Sequence, residues 1–139
     1  MKVHERAIKF EEVDAAGIVF FARFVNYAHE AMEDFFADVP GGYPGLIVAR
    51  RIGFPAVHLE ASFASPLRYG DAVRVETRVV KLGNRSAVLT YRMTHAGTGR
   101  LAAELRHTIV TSDLTTLTSC DMPADVRAHF ERHLEPAAP

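Results

Sequence analysis

Between Ala72 and Leu82, Val73, Val75, Thr77 and Val79 alternate with Arg74, Glu76 and Arg78. A two-residue repeat puts the first set on one face of a strand and the charges on the other, so this segment fits a sheet with a single core face. Residues 56–63, 86–94 and 101–112 also have strand character. Turn signals at Tyr69-Gly70-Asp71, Gly83-Asn84 and Gly97-Thr98-Gly99 separate the segments. Four antiparallel strands in succession leave one apolar face to be covered.

The cover comes earlier in the chain. From about residue 21 to 38, Phe24, Ala28, Ala31 and Phe35 recur at helical spacing, Tyr27, Met32 and Phe36 widen the stripe, and Asn26, Glu30 and Glu33 form a polar line. A helix so apolar around its circumference is enclosed by something. With a first strand over 2–10 and a short helix over 124–134, the expected architecture is α+β: an antiparallel sheet of about five strands wrapped around one long central helix. The second face of that sheet and any uncovered edge strand call for a partner, so dimerisation is expected. Length fits one domain over residues 1–135, with the Pro/Ala-rich residues 136–139 as a short flexible tail.

Lys plus Arg (16) nearly cancel Asp plus Glu (17), which gives no general pull toward nucleic acid or an anionic membrane surface. An anionic ligand must be met by a local patch. Cys120 stands alone, without an internal disulfide partner or a metal-ligand spacing around it, which suits the reducing cytoplasm. No apolar run has signal-peptide or membrane-spanning character.

One stretch is unlike the rest. In EEVDAAGIVFFARF, residues 11–24, Asp14 is followed by Gly17 and then by bulky apolar residues that lead straight into the helix. Taken as pattern alone, Asp14 fits a turn aspartate or a loose helix cap as readily as a reacting group. Gly17 fits a tight turn in either case.

The motifs DAAGIVFF (14–21), HEAME (29–33), GFP (53–55) and SPLRYGD (65–71) resemble those of the 4-hydroxybenzoyl-CoA thioesterase family of hotdog-fold acyl-CoA thioesterases. The resemblance runs from about Val3 to His133. It implies hydrolysis of an acyl- or aroyl-CoA at sites shared between the subunits of a homodimer, commonly within a homotetramer, with no cofactor beyond the coenzyme A of the substrate. Asp14 would attack the thioester or activate the water that does. The backbone N–H of Phe21, assisted by Gly17, would hold the developing oxyanion at the start of the helix.

The resemblance also places substrate-binding candidates. Phe20 and Phe21 could line an acyl pocket, though such residues are more often core. His29 lies where the partner subunit's acyl pocket would sit, and is as well read as a surface or interface histidine. His58 shares a strand face with Glu60, which is either interface or an approach to the site. Asn84, Arg85 and Ser86 match the turn that contacts the nucleotide, where an arginine could grip a phosphate; charged turns are also ordinary solvated surface. His29 and Glu33 share a helix face but lack the second histidine of a zinc motif, so no metal is expected. His107 reads as a satisfied buried histidine. Two other functions stay open: a non-catalytic acyl-CoA sensor, and a hotdog dehydratase, which the lack of any histidine between His4 and His29 weakens.

Overall fold

The alternation of residues 72–82 is realised as the second strand of a five-stranded antiparallel sheet. The structure, a computed structural model, describes residues 1–135; the expected tail over 136–139 lies outside the described residues. In chain order the elements are β1 (Lys2–Ala7), α1 (Arg23–Phe35), α2 (Gly42–Pro44), β2 (Ile52–Gly53), β3 (Ala56–Phe63), β4 (Ala72–Leu82), β5 (Ser86–His95), β6 (Leu101–Val110), β7 (Ser112–Asp113), β8 (Thr118–Ser119) and α3 (Ala124–Arg132). The main sheet runs β1-β4-β5-β6-β3. A second, small sheet runs β2-β7-β8, and its two-residue strands are too short to show a periodicity in the sequence.

The core face carries the residues the pattern assigned to it. Val75 lies opposite Met93, Thr77 opposite Tyr91 and Val79 opposite Leu89, all buried. Helix α1 lies against β4 and β1 and buries Phe24, Tyr27, Ala28, Ala31, Met32 and Phe35. It is shorter than expected at both ends. At its exit the chain tightens into a 3-10 turn over Phe36–Asp38, and Val39 is extended, as suits a residue before Pro40. At its entry, the Phe20 amide is held by the Glu12 carbonyl at 3.0 Å, and Phe21 and Ala22 form a turn ahead of the helix.

The second sheet face departs from expectation. It is charged and largely paired within itself: Arg92 meets Glu104 at 2.7 Å and Arg78 meets Glu76 at 2.9 Å. Such a face is content in water. The demand for a partner falls instead on the edge, where all eight residues of β3 are exposed, Val57, Leu59 and Phe63 among them.

Candidate active site

The loop between β1 and α1 folds into a miniature hairpin. Val13 and Val19 bridge, the Asp14 amide donates to the Ile18 carbonyl at 2.9 Å, and the Gly17 amide closes the turn onto the Asp14 carbonyl at 2.9 Å. Gly17 has φ +81°, a left-handed conformation that disfavours any Cβ. Asp14 is exposed at the tip, and its Oδ1 accepts the Ala16 amide at 2.8 Å. The turn-aspartate geometry is therefore real, and it uses one carboxylate oxygen only. Bridging of Ile18 to Arg68 and a bond from the Val19 amide to the Leu67 carbonyl at 2.8 Å tie the hairpin to the chain ahead of β4.

The donor side follows at once. The first three N–H groups of α1, on Arg23, Phe24 and Val25, bond back to the carbonyls of Phe20, Phe21 and Ala22. Among the described residues, the Phe21 and Ala22 amides have no acceptor. These two, rather than the helix interior, are the open donors of this helix start. The Gly17 amide is occupied in its turn, so Gly17 contributes conformation and not a donor.

Beside the hairpin lies a cleft of about 320 Å³ lined by Ile18, Val19, Phe21, Phe24, Phe63 and Pro66, among others. Phe21 is 63% exposed and stacks at a tilt on Phe20, with ring centres 4.9 Å apart; Phe63 closes on it from β3 at 6.4 Å. Apolar walls of this kind suit a flat or aliphatic group. A larger hollow of about 440 Å³ lies on the outer sheet face between Arg78, Arg92, Glu104 and Arg106, and touches no part of the hairpin.

Beneath the hairpin is a buried ion pair that sequence reading did not single out. Both oxygens of Glu12 are gripped by Arg6, at 2.6 and 2.8 Å, while Oε1 also accepts the Lys9 amide at 2.8 Å and the Tyr27 hydroxyl at 3.1 Å. Arg6 lies 4.6 Å over the Tyr27 ring and bonds Glu30 at 2.9 Å. Burial alone would raise the Glu12 pKa, but the Arg6 hydrogen bonds, the Lys9 amide and the Tyr27 hydroxyl outweigh it and hold the carboxyl below its usual range. Burial and the Glu12 charge push the Tyr27 phenol well up.

The remaining candidates stand apart from Asp14 within one chain. His29 is exposed on α1, 4.0 Å from Glu33 and edge-on to Tyr43. His58 is paired with Glu60 at 2.9 Å on the outer sheet face, away from the hairpin, so the approach to the site considered for it is not found within one chain. His107 is half-buried and bonded through Nδ1 to the Tyr91 hydroxyl at 3.0 Å. The turn holding Asn84, Arg85 and Ser86 closes by a bond from the Gly83 amide to the Ser86 carbonyl, and a Cβ on Gly83 would lie 2.8 Å from Ser86 Oγ. Arg85 reaches Asp121 at 2.9 Å and Ser119 Oγ at 3.1 Å. This turn leaves β4 at Leu82, whereas the hairpin follows β1, whose Ala7 pairs with Ala72. The 11 residues of β4 thus separate the two, about 35 Å at the usual strand rise.

A five-stranded antiparallel sheet laid on a helix, with a carboxylate turn at the helix entry, defines the hotdog thioesterase-like class. The chain belongs to the Thioesterase-like superfamily, whose family model matches residues 8–130. It is similar to a 1,4-dihydroxy-2-naphthoyl-CoA hydrolase of Prochlorococcus marinus, 28% identical over 134 residues that cover 91% of this chain and 85% of that protein. A protein of the same name from Thermosynechococcus vestitus is 30% identical over 108 residues, 77% of this chain and 74% of the other. Among solved structures, a gentisyl-coenzyme A thioesterase superposes with a TM-score of 0.82 at 29% identity, over 93% of this chain and 99% of that one. The resemblance to 4-hydroxybenzoyl-CoA thioesterases thus holds at the level of the superfamily; these relatives are named for other aromatic esters.

Proposed function

We propose that this thioester hydrolase cleaves an aromatic acyl-CoA to the free acid and coenzyme A, with Asp14 as the reacting carboxylate. The observation that carries the reading is the pairing of an exposed Asp14 carboxylate with open Phe21 and Ala22 amides beside an aromatic-walled cleft. The thioester carbonyl oxygen would lie on the Phe21 amide, where negative charge develops. Asp14 either attacks the carbonyl carbon, giving an anhydride that water then opens, or takes a proton from the attacking water. In both routes hydroxide is added to the acyl carbon and the C–S bond breaks. The proton goes to the coenzyme A thiolate.

Names of relatives support an aromatic acyl group, and short to medium aliphatic groups also suit the cleft. The nucleotide end of the substrate would be met by Asn84, Arg85 and Ser86. Their separation from Asp14 along β4 supports their coming from another copy, in a homodimer with shared sites joined at β3 and a homotetramer built from it. His29 would reach the partner's acyl group in the same arrangement. No helix is long and apolar enough to cross a membrane among the described residues, and the lone Cys120 fits a cytoplasmic setting.

Thiol release across a panel of aromatic, short-chain and long-chain acyl-CoAs, with wild type and Asp14→Asn side by side, tests the proposal. Turnover of aromatic esters that vanishes in the variant is expected. Binding of the esters by both proteins without any thiol release would favour the sensor reading.

A further inference from the structure

We infer that Glu12, held by Arg6 and Tyr27, is a positioning residue that fixes the Asp14 carboxylate and the Phe21 amide relative to one another; its catalytic meaning rests on the function proposed above. Glu12 touches both limbs of the hairpin. Its side chain is anchored by the Arg6 guanidinium, the Lys9 amide and the Tyr27 hydroxyl, and its own carbonyl accepts the Phe20 amide at 3.0 Å. Two residues onward along the chain is Asp14; one residue past Phe20 is Phe21.

The anchors belong to the two rigid layers of the fold. Arg6 is on β1, paired in register with Val73, and Tyr27 is on α1, fully buried. The hairpin is thereby referenced to sheet and helix at once, through a single residue that is 5% exposed. A displacement of Glu12 would move the carboxylate limb and the donor limb independently of the layers behind them.

Stability alone does not account for this choice of residues. A buried ion pair contributes little net stability compared with apolar residues of similar size, because desolvation offsets the Coulomb attraction. What apolar residues would not supply is direction: four hydrogen bonds onto one carboxylate, three of them between 2.6 and 2.8 Å, define its place closely. In an acyl-transfer site, misplacement by about 1 Å can reduce the rate about 10²-fold.

The double substitution Arg6→Met with Glu12→Met separates the two roles, since it removes the hydrogen bonds while keeping the volume filled. Melting temperature, steady-state kinetics on an aromatic acyl-CoA and amide exchange by NMR are read together. The expected result is an unfolding temperature lower only by the several degrees that the orphaned Tyr27 hydroxyl and Lys9 amide cost, a kcat lower by about 10²-fold with KM within about twofold, and faster exchange at the Asp14 and Phe20 amides but not at Val75. Glu12→Gln, which keeps the shape and most of the hydrogen bonds, should recover kcat to within about tenfold of wild type. Unchanged kcat and unchanged exchange in the folded double variant would overturn the inference. If the double variant does not fold, Tyr27→Phe and Glu12→Ala decide by the same readouts: a graded fall in kcat at constant KM supports positioning, and a fall in melting temperature alone refutes it. Absence of thiol release in the wild type would remove the proposed function, and amide exchange would still show whether Glu12 sets the hairpin.

Discussion

The two ends of β4 handle charge in opposite ways. At the Ala72 end, Arg6 and Glu12 are nearly sealed from solvent and held by several hydrogen bonds, while Asp14 is exposed at the tip of the hairpin they support. At the Leu82 end, Arg85 is half exposed and its partner Asp121 is 84% exposed, so their ion pair competes with water throughout. A sealed network holds one geometry, as a group that must meet a carbonyl carbon requires. An exposed arginine can exchange partners, as a group that must catch and release a mobile polyanion requires. Under the proposed function, the first end would serve placement and the second capture.

The comparison breaks most readily at Asp14. Asp14→Asn keeps the turn, since its side-chain oxygen still accepts the Ala16 amide, and kcat should fall on the order of 10²–10⁴-fold with ligand binding retained. Equal binding and equal turnover would remove the chemical role of this end. Gly17→Ala comes next. No neighbour obstructs the added methyl, so the φ of +81° alone opposes it by about 1–2 kcal/mol, and kcat should drop about tenfold with a melting temperature lower by several degrees.

At the other end, Arg85→Ala should raise KM for CoA esters by about tenfold and leave simple non-CoA thioesters nearly unaffected. Equal kcat losses for both substrate types would contradict capture. The smallest expected effect is one of pH. Burial lowers the pKa of His129 and of His133 below the usual 6.5, with Arg132 and the neighbouring histidine adding to it; a hydrogen bond from the His129 ring to the Phe35 carbonyl and the charge of Asp38 only partly oppose the shift. Both rings are therefore more readily protonated in the unfolded chain. Stability is full above about pH 6.5 and declines as pH falls from there toward the folded pKa values, at up to about 1.4 kcal/mol per pH unit for each proton. Helix α3, which carries His129 and is capped at its C-terminus by His133, also bonds the β4–β5 turn through Arg127 and the Gly83 carbonyl. Acid should thus loosen the capture end first, and denaturant midpoints with amide exchange at Gly83, between about pH 7.5 and 5, would show it.

Legibility in the sequence follows the range of the forces involved. Asp14 and Gly17 could be singled out because a turn is settled within four residues, and the valine alternation of β4 because burial on one face repeats every second residue. Glu12 could not, because Glu11-Glu12 reads as a solvated pair until folding brings Arg6 and Tyr27 around it. His58 had the right strand face relative to its neighbours, and only the sheet order shows that this face turns away from the hairpin.

The exposed edge also bears on how the protein comes to exist in a cell. A newly made chain carries β3 as an open ladder of N–H and C=O groups with Val57, Leu59 and Phe63 beside it, and any other strand can take that place. His58, Glu60 and Ser62 interrupt the apolar residues of this strand. In a homodimer joined at β3, as proposed, the number of like chains nearby at the moment of release would bias this edge toward sealing or toward aggregation.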